Sequence, residues 1–194
     1  MEFFTAGGKL QRCRMAFLDE IPVPRKILLA GEGHGRFLPE CVRRFPTAEI
    51  LMVDISARML EIARSKVASG KVKFIHADFL EWDAPSETFD LIVTHFFLDC
   101  FSADQLALVI SKLGKSATRD AQWLLADFEI APTPLAGLRS RVIIGLLYTF
   151  FRIATGLKAR ALVPPEADLE NAGFALHRRK THDWGLLKSE WWRR

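Results

Sequence analysis

Short β-rich runs alternate with helix-patterned stretches between residues 26 and 128, and this alternation constrains the fold more than any other feature of the sequence. The runs are Lys26–Ala30, Glu49–Val53, Val72–His76, Phe89–Thr94 and Trp123–Phe128. Strands separated by helices point to βαβ units and a parallel sheet covered on both faces. Two further runs, about Phe174–Thr181 and Leu186–Trp192, meet through a turn near Asp183-Trp184-Gly185. A connection that short makes neighbouring strands antiparallel. The expected architecture is therefore α/β: a doubly wound sheet of five parallel strands closed by a C-terminal antiparallel hairpin, in one domain over residues 1–194.

The helices are read from their punctuation. An opening helix is expected over Lys9–Glu20, ended by Pro22 and Pro24. A second runs from the glycines after the first strand to about Phe45. Ser56 caps a third, in which Met59, Leu60, Ala63 and Val67 repeat at helical spacing. Ser102 and Gln105 have the spacing of a capping box for the fourth. After the fifth strand Pro132 and Pro134 break the pattern, and a long apolar helix is expected over Leu135–Thr155. This insertion, residues 132–164, has the composition of a lid. A short helix over Glu166–Ala172 ends at Gly173.

Bulk properties narrow the function classes. Hydrophobic residues make up 49% and charged residues 26%, as in a chain that buries a core rather than a disordered one. Cys13, Cys41 and Cys100 are widely spaced and form no CxxC pair, which argues against a zinc site or a disulfide framework; no metal is expected. Net charge is only +4, with the basic residues clustered at His177–Lys180 and Trp191–Arg194. Charged side chains flanking a terminal strand read as a solvated face, so charge alone argues against a nucleic-acid partner. The start of the chain lacks a secretory pattern. The most apolar stretch, Val142–Phe151, falls short of the about 20 apolar residues a membrane span needs. A cytoplasmic location and a monomer or homodimer are the simplest expectations.

Gly31-Glu32-Gly33-His34-Gly35 follows the first strand directly. Glycine at alternate positions lets backbone turn tightly and approach a ligand with no Cβ in the way. A dinucleotide fingerprint would need glycine at position 36, which is Arg36. Asp54 closes the second strand, where a carboxylate accepts from both hydroxyls of a ribose. His76-Ala77-Asp78-Phe79 places an acid and an aromatic just past the third strand.

The GxGxG spacing resembles the first motif of class I S-adenosylmethionine (SAM)-dependent methyltransferases, whose Rossmann-like sheet also ends in an antiparallel hairpin. The long apolar helix after the fifth strand is similar to that of ubiquinone/menaquinone-type small-molecule methyltransferases. The resemblance implies SAM as cofactor. It further implies that Gly31, Glu32, Gly33, Gly35, Asp54, Ile55, Met59, Asp78, Phe79 and Thr94 form the cofactor site. Asp78 would read the adenine amine with Phe79 beside the ring. One departure stands: the acid that usually precedes the loop by two residues is Leu29. Glu32 is read as facing solvent or capping the helix, with substitution for that acid as the alternative.

The acceptor is expected near the end of the fourth strand, at Thr94-His95-Phe96-Phe97-Leu98-Asp99, which is not the NPPY-type sequence of nucleobase amine methyltransferases. His95 is the candidate base, and His95, Asp99 and Tyr148 are the candidate substrate contacts. Methyl transfer to a small, apolar or aromatic acceptor is the expected activity. An NAD-type oxidoreductase on a related sheet and a non-catalytic SAM-binding protein are the alternatives.

Overall fold

The computed structural model describes residues 2–68, 70–155 and 162–194. Seven strands form one sheet: β1 (Lys26–Ala30), β2 (Glu49–Asp54), β3 (Val72–His76), β4 (Phe89–His95), β5 (Ala117–Phe128), β6 (Ala175–His182) and β7 (Leu187–Arg193). Their spatial order is β3-β2-β1-β4-β5-β7-β6. The first five are parallel, and β7 runs antiparallel to both β5 and β6. The helices are α1 (Glu2–Met15), α2 (Leu38–Arg44), α3 (Ala57–Arg64), α4 (Ala103–Ser116), α5 (Pro134–Thr155) and α6 (Glu166–Asn171). This is the doubly wound α/β sheet, five parallel strands closed by an antiparallel hairpin, expected from the alternation and the C-terminal turn.

The unbroken apolar runs follow from a sheet buried on both faces. Along β1, Ile27 and Leu29 enter one core with Phe37, Leu38 and Trp191, whereas Leu28 and Ala30 enter the other with Leu106, Val109 and Trp123. Every apolar side chain of β1 thus has a core to fill.

Three boundaries differ from expectation. The α1 helix starts at Glu2 rather than at residue 9, and ends at Met15 rather than at residue 20. Beyond it, Leu18 N donates to Met15 O and Glu20 N to Phe17 O, and the tighter turns bury both Phe17 and Leu18. β5 begins at Ala117, six residues before the expected Trp123, because α4 runs into it without a loop. Its polar opening residues, Thr118-Arg119-Asp120, hide the start of the strand from an apolar pattern. The part of the insertion at 156–161 lies outside the described residues.

Candidate functional site

The carboxyl ends of β1, β2 and β3 bring the loop and both acids together. Gly31, Gly33 and Gly35 all adopt left-handed backbone, with φ of 64°, 61° and 66°. At Gly31 a Cβ would lie 2.0 Å from Phe97 Cδ2, so only glycine admits that ring. At Gly33 the same added atom would meet nothing within 4 Å, and the loop opens outward there. Gly31 N donates to Val53 O at 2.9 Å, and Gly33 N to Asp54 Oδ2 at 2.9 Å. Asp54 Oδ1 accepts from Ser56 N at 2.8 Å. The buried Asp54 carboxylate therefore ties the glycine loop on one side to the start of α3 on the other.

Ala77 N donates to Asp54 O at 3.1 Å, placing Asp78 one strand further along the same edge. Asp78 Oδ1 accepts from Leu80 N at 2.9 Å, which shapes the turn. Phe79 is buried, edge-on to Phe97 with ring centroids 5.0 Å apart. Phe97, which reads from the sequence as core or cofactor packing rather than a substrate contact, thus reaches from Gly31 to Phe79 along one wall of the site. Ile55 is exposed at the rim, and Met59 sits half-buried in the first turn of α3, its N donating to the Ser56 hydroxyl.

Glu32 does not face solvent. It is buried, and its Oε1 accepts from Phe37 N at 2.9 Å, which closes the turn into α2. Its Oε2 lies 3.5 Å from His95 Nδ1, and Arg14 Nε, from α1, lies 3.7 Å from Oε1. Arg14 also stacks over the Phe96 ring at 4.7 Å. The charge of Glu32 is thus balanced by a helix far away in sequence.

His95 takes a different position from the one expected. Period-two alternation along β4 puts His95 on the face of Leu91 and Val93, edge-on to Phe37 at 4.7 Å. It is 3% exposed and walled in by Phe37 and Glu32. Burial pushes its pKa below the usual histidine value, against the opposing pull of Glu32. Thr94, on the other face, is fully buried, and its hydroxyl accepts from Trp123 Nε1 at 2.8 Å. The Thr94 side chain therefore braces the core.

Beyond β4 the other two candidate contacts meet. Tyr148, on the buried side of α5, donates its hydroxyl to Asp99 O at 2.7 Å. Burial raises the Asp99 carboxyl to about 6. Asp127, at the end of β5, is raised as well, first by burial and then by the negative charge of Asp99. Sequence reading passed over Asp127, although a carboxylate closing an apolar strand was the signal used for Asp54. A cavity of about 160 Å³ opens beside Asp127, bounded by Phe128, Leu162, Pro165 and Lys188. A larger groove, about 350 Å³, lies at the amino ends of β1 and β2, away from the glycine loop.

A glycine loop, a strand-ending acid and a second acid at the next strand define a nucleoside-cofactor site at the carboxyl edge of a doubly wound sheet. Residues 27–120 match the methyltransferase domain family. Malonyl-[acyl-carrier protein] O-methyltransferase of Halalkalibacterium halodurans is 42% identical over 76 residues, 37% of this chain and 28% of that protein. Demethylmenaquinone methyltransferase of Deinococcus radiodurans is 28% identical over 117 residues, 59% of this chain and 46% of that protein. The chain thus spans less than half the length of these two relatives. An S-adenosylmethionine-dependent methyltransferase from Mesorhizobium loti superposes with a TM-score of 0.71 at 17% identity, over 94% of this chain and 98% of that one. The methyltransferase-domain match over residues 27–120 and the shared fold support a class I SAM-dependent methyltransferase, and S-adenosylmethionine is the cofactor of that class. The open face at Gly33 and the carboxylates of Asp54 and Asp78 fit that cofactor, whereas Arg36 does not fit the oxidoreductase fingerprint.

Proposed function

We propose that this chain is an enzyme that transfers the methyl group of S-adenosylmethionine to a small, apolar or aromatic acceptor held between the end of β4, the end of β5 and α5. The hydrogen bond from Tyr148 to Asp99 O carries this reading, because it fastens α5 across the end of β4 as a cover. Bound S-adenosylmethionine supplies an already activated carbon on a positively charged sulfur. The chain's own work is to align the acceptor and to keep water out. The open side of the loop at Gly33 receives the amino-acid end of the cofactor. Asp54 accepts from the ribose hydroxyls beside its two amide bonds. Asp78 accepts from the adenine amine, with Phe79, Ile55 and Met59 as apolar neighbours. Asp99 and Asp127, which burial makes more basic than ordinary carboxylates, take up the acceptor's proton. His95 acts through Glu32 as a positioning residue for the loop, and residues 132–164 act as the lid of a single domain.

The test compares Asp99→Asn and Tyr148→Phe with the wild type, using labelled methyl transfer for the rate and calorimetry for SAM affinity. Both variants are expected to lose roughly tenfold or more in rate, with SAM affinity unchanged. Full turnover in both variants overturns the placement of the acceptor. Cofactor binding without turnover on any acceptor favours the non-catalytic alternative instead.

A further inference from the structure

The two sides of α5 differ in kind. Gly137, Ser140, Ile144 and Tyr148 face the body of the protein. On the opposite side Leu135 is 86% exposed, Leu138 63%, Val142 55% and Leu146 68%. Their spacing of three, four and four residues makes one continuous apolar stripe. The exposed Arg139 and Arg141 flank it, one on each side. Arg139 donates to both the carbonyl and the carboxylate of Asp183, fastening the helix to the turn between β6 and β7. That turn displays Trp184, 84% exposed and held at φ 60°. A left-handed conformation is costly for a bulky residue. The fold thus retains a strained, exposed indole beside an exposed leucine stripe.

Charge selects the occupant of this surface. From residue 130 to residue 165 the sequence contains five basic residues and no acidic one. With Arg139 already paired to Asp183, a second copy of the chain on a twofold axis would bring Arg141 against its own counterpart with no carboxylate from this stretch to pair it. An anionic lipid surface supplies the opposite charge, an apolar layer for the leucines and the interfacial zone that tryptophan favours. No helix among the described residues is long and apolar enough to cross a membrane, so α5 would lie along the surface.

We propose that the outer face of α5, together with Trp184, docks the protein on the surface of an anionic lipid bilayer. The inner face of the same helix covers the acceptor region, so docking places that region next to the lipid. The docking itself is independent of which acceptor is methylated.

The test is sedimentation of the full chain with vesicles of phosphatidylcholine alone and of phosphatidylcholine mixed with phosphatidylglycerol. Binding is expected to be roughly tenfold stronger or more on the anionic vesicles and to weaken as salt is raised. L138E combined with L146E should abolish it, and Trp184→Asn should weaken it severalfold. All three side chains are exposed, so an unchanged melting temperature confirms that the variants fold. Absence of sedimentation, or equal binding by wild type and the double variant, overturns the proposal. A dimer seen by light scattering that L138E/L146E dissociates, with no vesicle binding, assigns the face to a second copy and also overturns it.

Discussion

Removing the Asp54 carboxylate tests the link between loop and sheet most directly. Its two oxygens hold Gly33 N at 2.9 Å and Ser56 N at 2.8 Å, in a position 6% exposed. A hydrogen bond to a charged acceptor contributes about 1.5–3 kcal/mol, so two are worth about 3–6 kcal/mol. Asp54→Ala leaves room for water to reach the freed amides, which sets the expected loss at the lower end, about 3 kcal/mol. For a chain of this size that corresponds to a fall in melting temperature of roughly 6–12 °C. Asp54→Asn keeps one oxygen for one amide and turns a donor toward the other, so about half that loss is expected. SAM affinity should fall roughly tenfold or more in the alanine variant, equivalent to about 1.4 kcal/mol, since both loop order and ribose contacts depend on this group. Thermal unfolding without ligand and calorimetry with SAM measure the two effects separately. A melting temperature within about 2 °C of wild type would refute the argument that both amides depend on the carboxylate. A lowered melting temperature with unchanged affinity would leave Asp54 as a loop anchor and remove it from the ribose site.

Two further outcomes follow from the burial of β4. Thr94→Val leaves Trp123 Nε1 without its acceptor in a closed core and should cost about 1–3 kcal/mol in thermal or denaturant unfolding. SAM affinity should stay unchanged, and a selective loss of affinity in a fully stable variant would return Thr94 to the cofactor site. His95 is held neutral, with its folded pKa below the unfolded value of 6.5. The unfolded chain then binds the extra proton, so this contribution to stability is present above pH 6.5 and is lost as pH falls, at up to about 1.4 kcal/mol per pH unit. His95→Gln should flatten that part of the stability–pH curve, and an unchanged acid slope in the variant would show that other groups cause it.

What could be read from the sequence was local. The glycine loop, Asp54 and Asp78 sit at strand ends within a few residues of the pattern that announces them, so their shared edge follows from the parallel order. Of the two readings of Glu32, capping the turn into α2 agrees with its bond from Phe37 N, whereas its burial was not legible because Arg14 and His95, distant in sequence, come near only when α1 and β4 pack. His95 and Thr94 depended on the parity of β4: counting alternate residues from Leu91 and Val93 would have sent His95 to the α2 face. Phe97 reads from the sequence as core or cofactor packing, but its fit into the space left by Gly31 was not legible, because an absent Cβ leaves no mark at the partner's own position. Asp99 and Tyr148 were each identified, but their contact depends on how α5 folds back over β4.

The position of β7 separates the order of synthesis from the order of assembly. β7 follows β6 in the chain, yet it is inserted between β5 and β6 and carries the buried Glu190, Trp191 and Trp192. While the ribosome is still making residues 187–193, β5 has an open hydrogen-bonding edge and β6 has no neighbour to join. The hydrophobic surface of Trp123 and Leu124 is then partly uncovered, the kind of exposure that makes nascent sheets prone to association. Long-range pairing of this sort also closes slowly. A stalled or shortened chain lacking its final strand would lose the joint between the parallel half and the hairpin, leaving two sheet fragments with complementary edges. Protein quality control would thus meet this chain as an open sheet until residues 187–193 arrive.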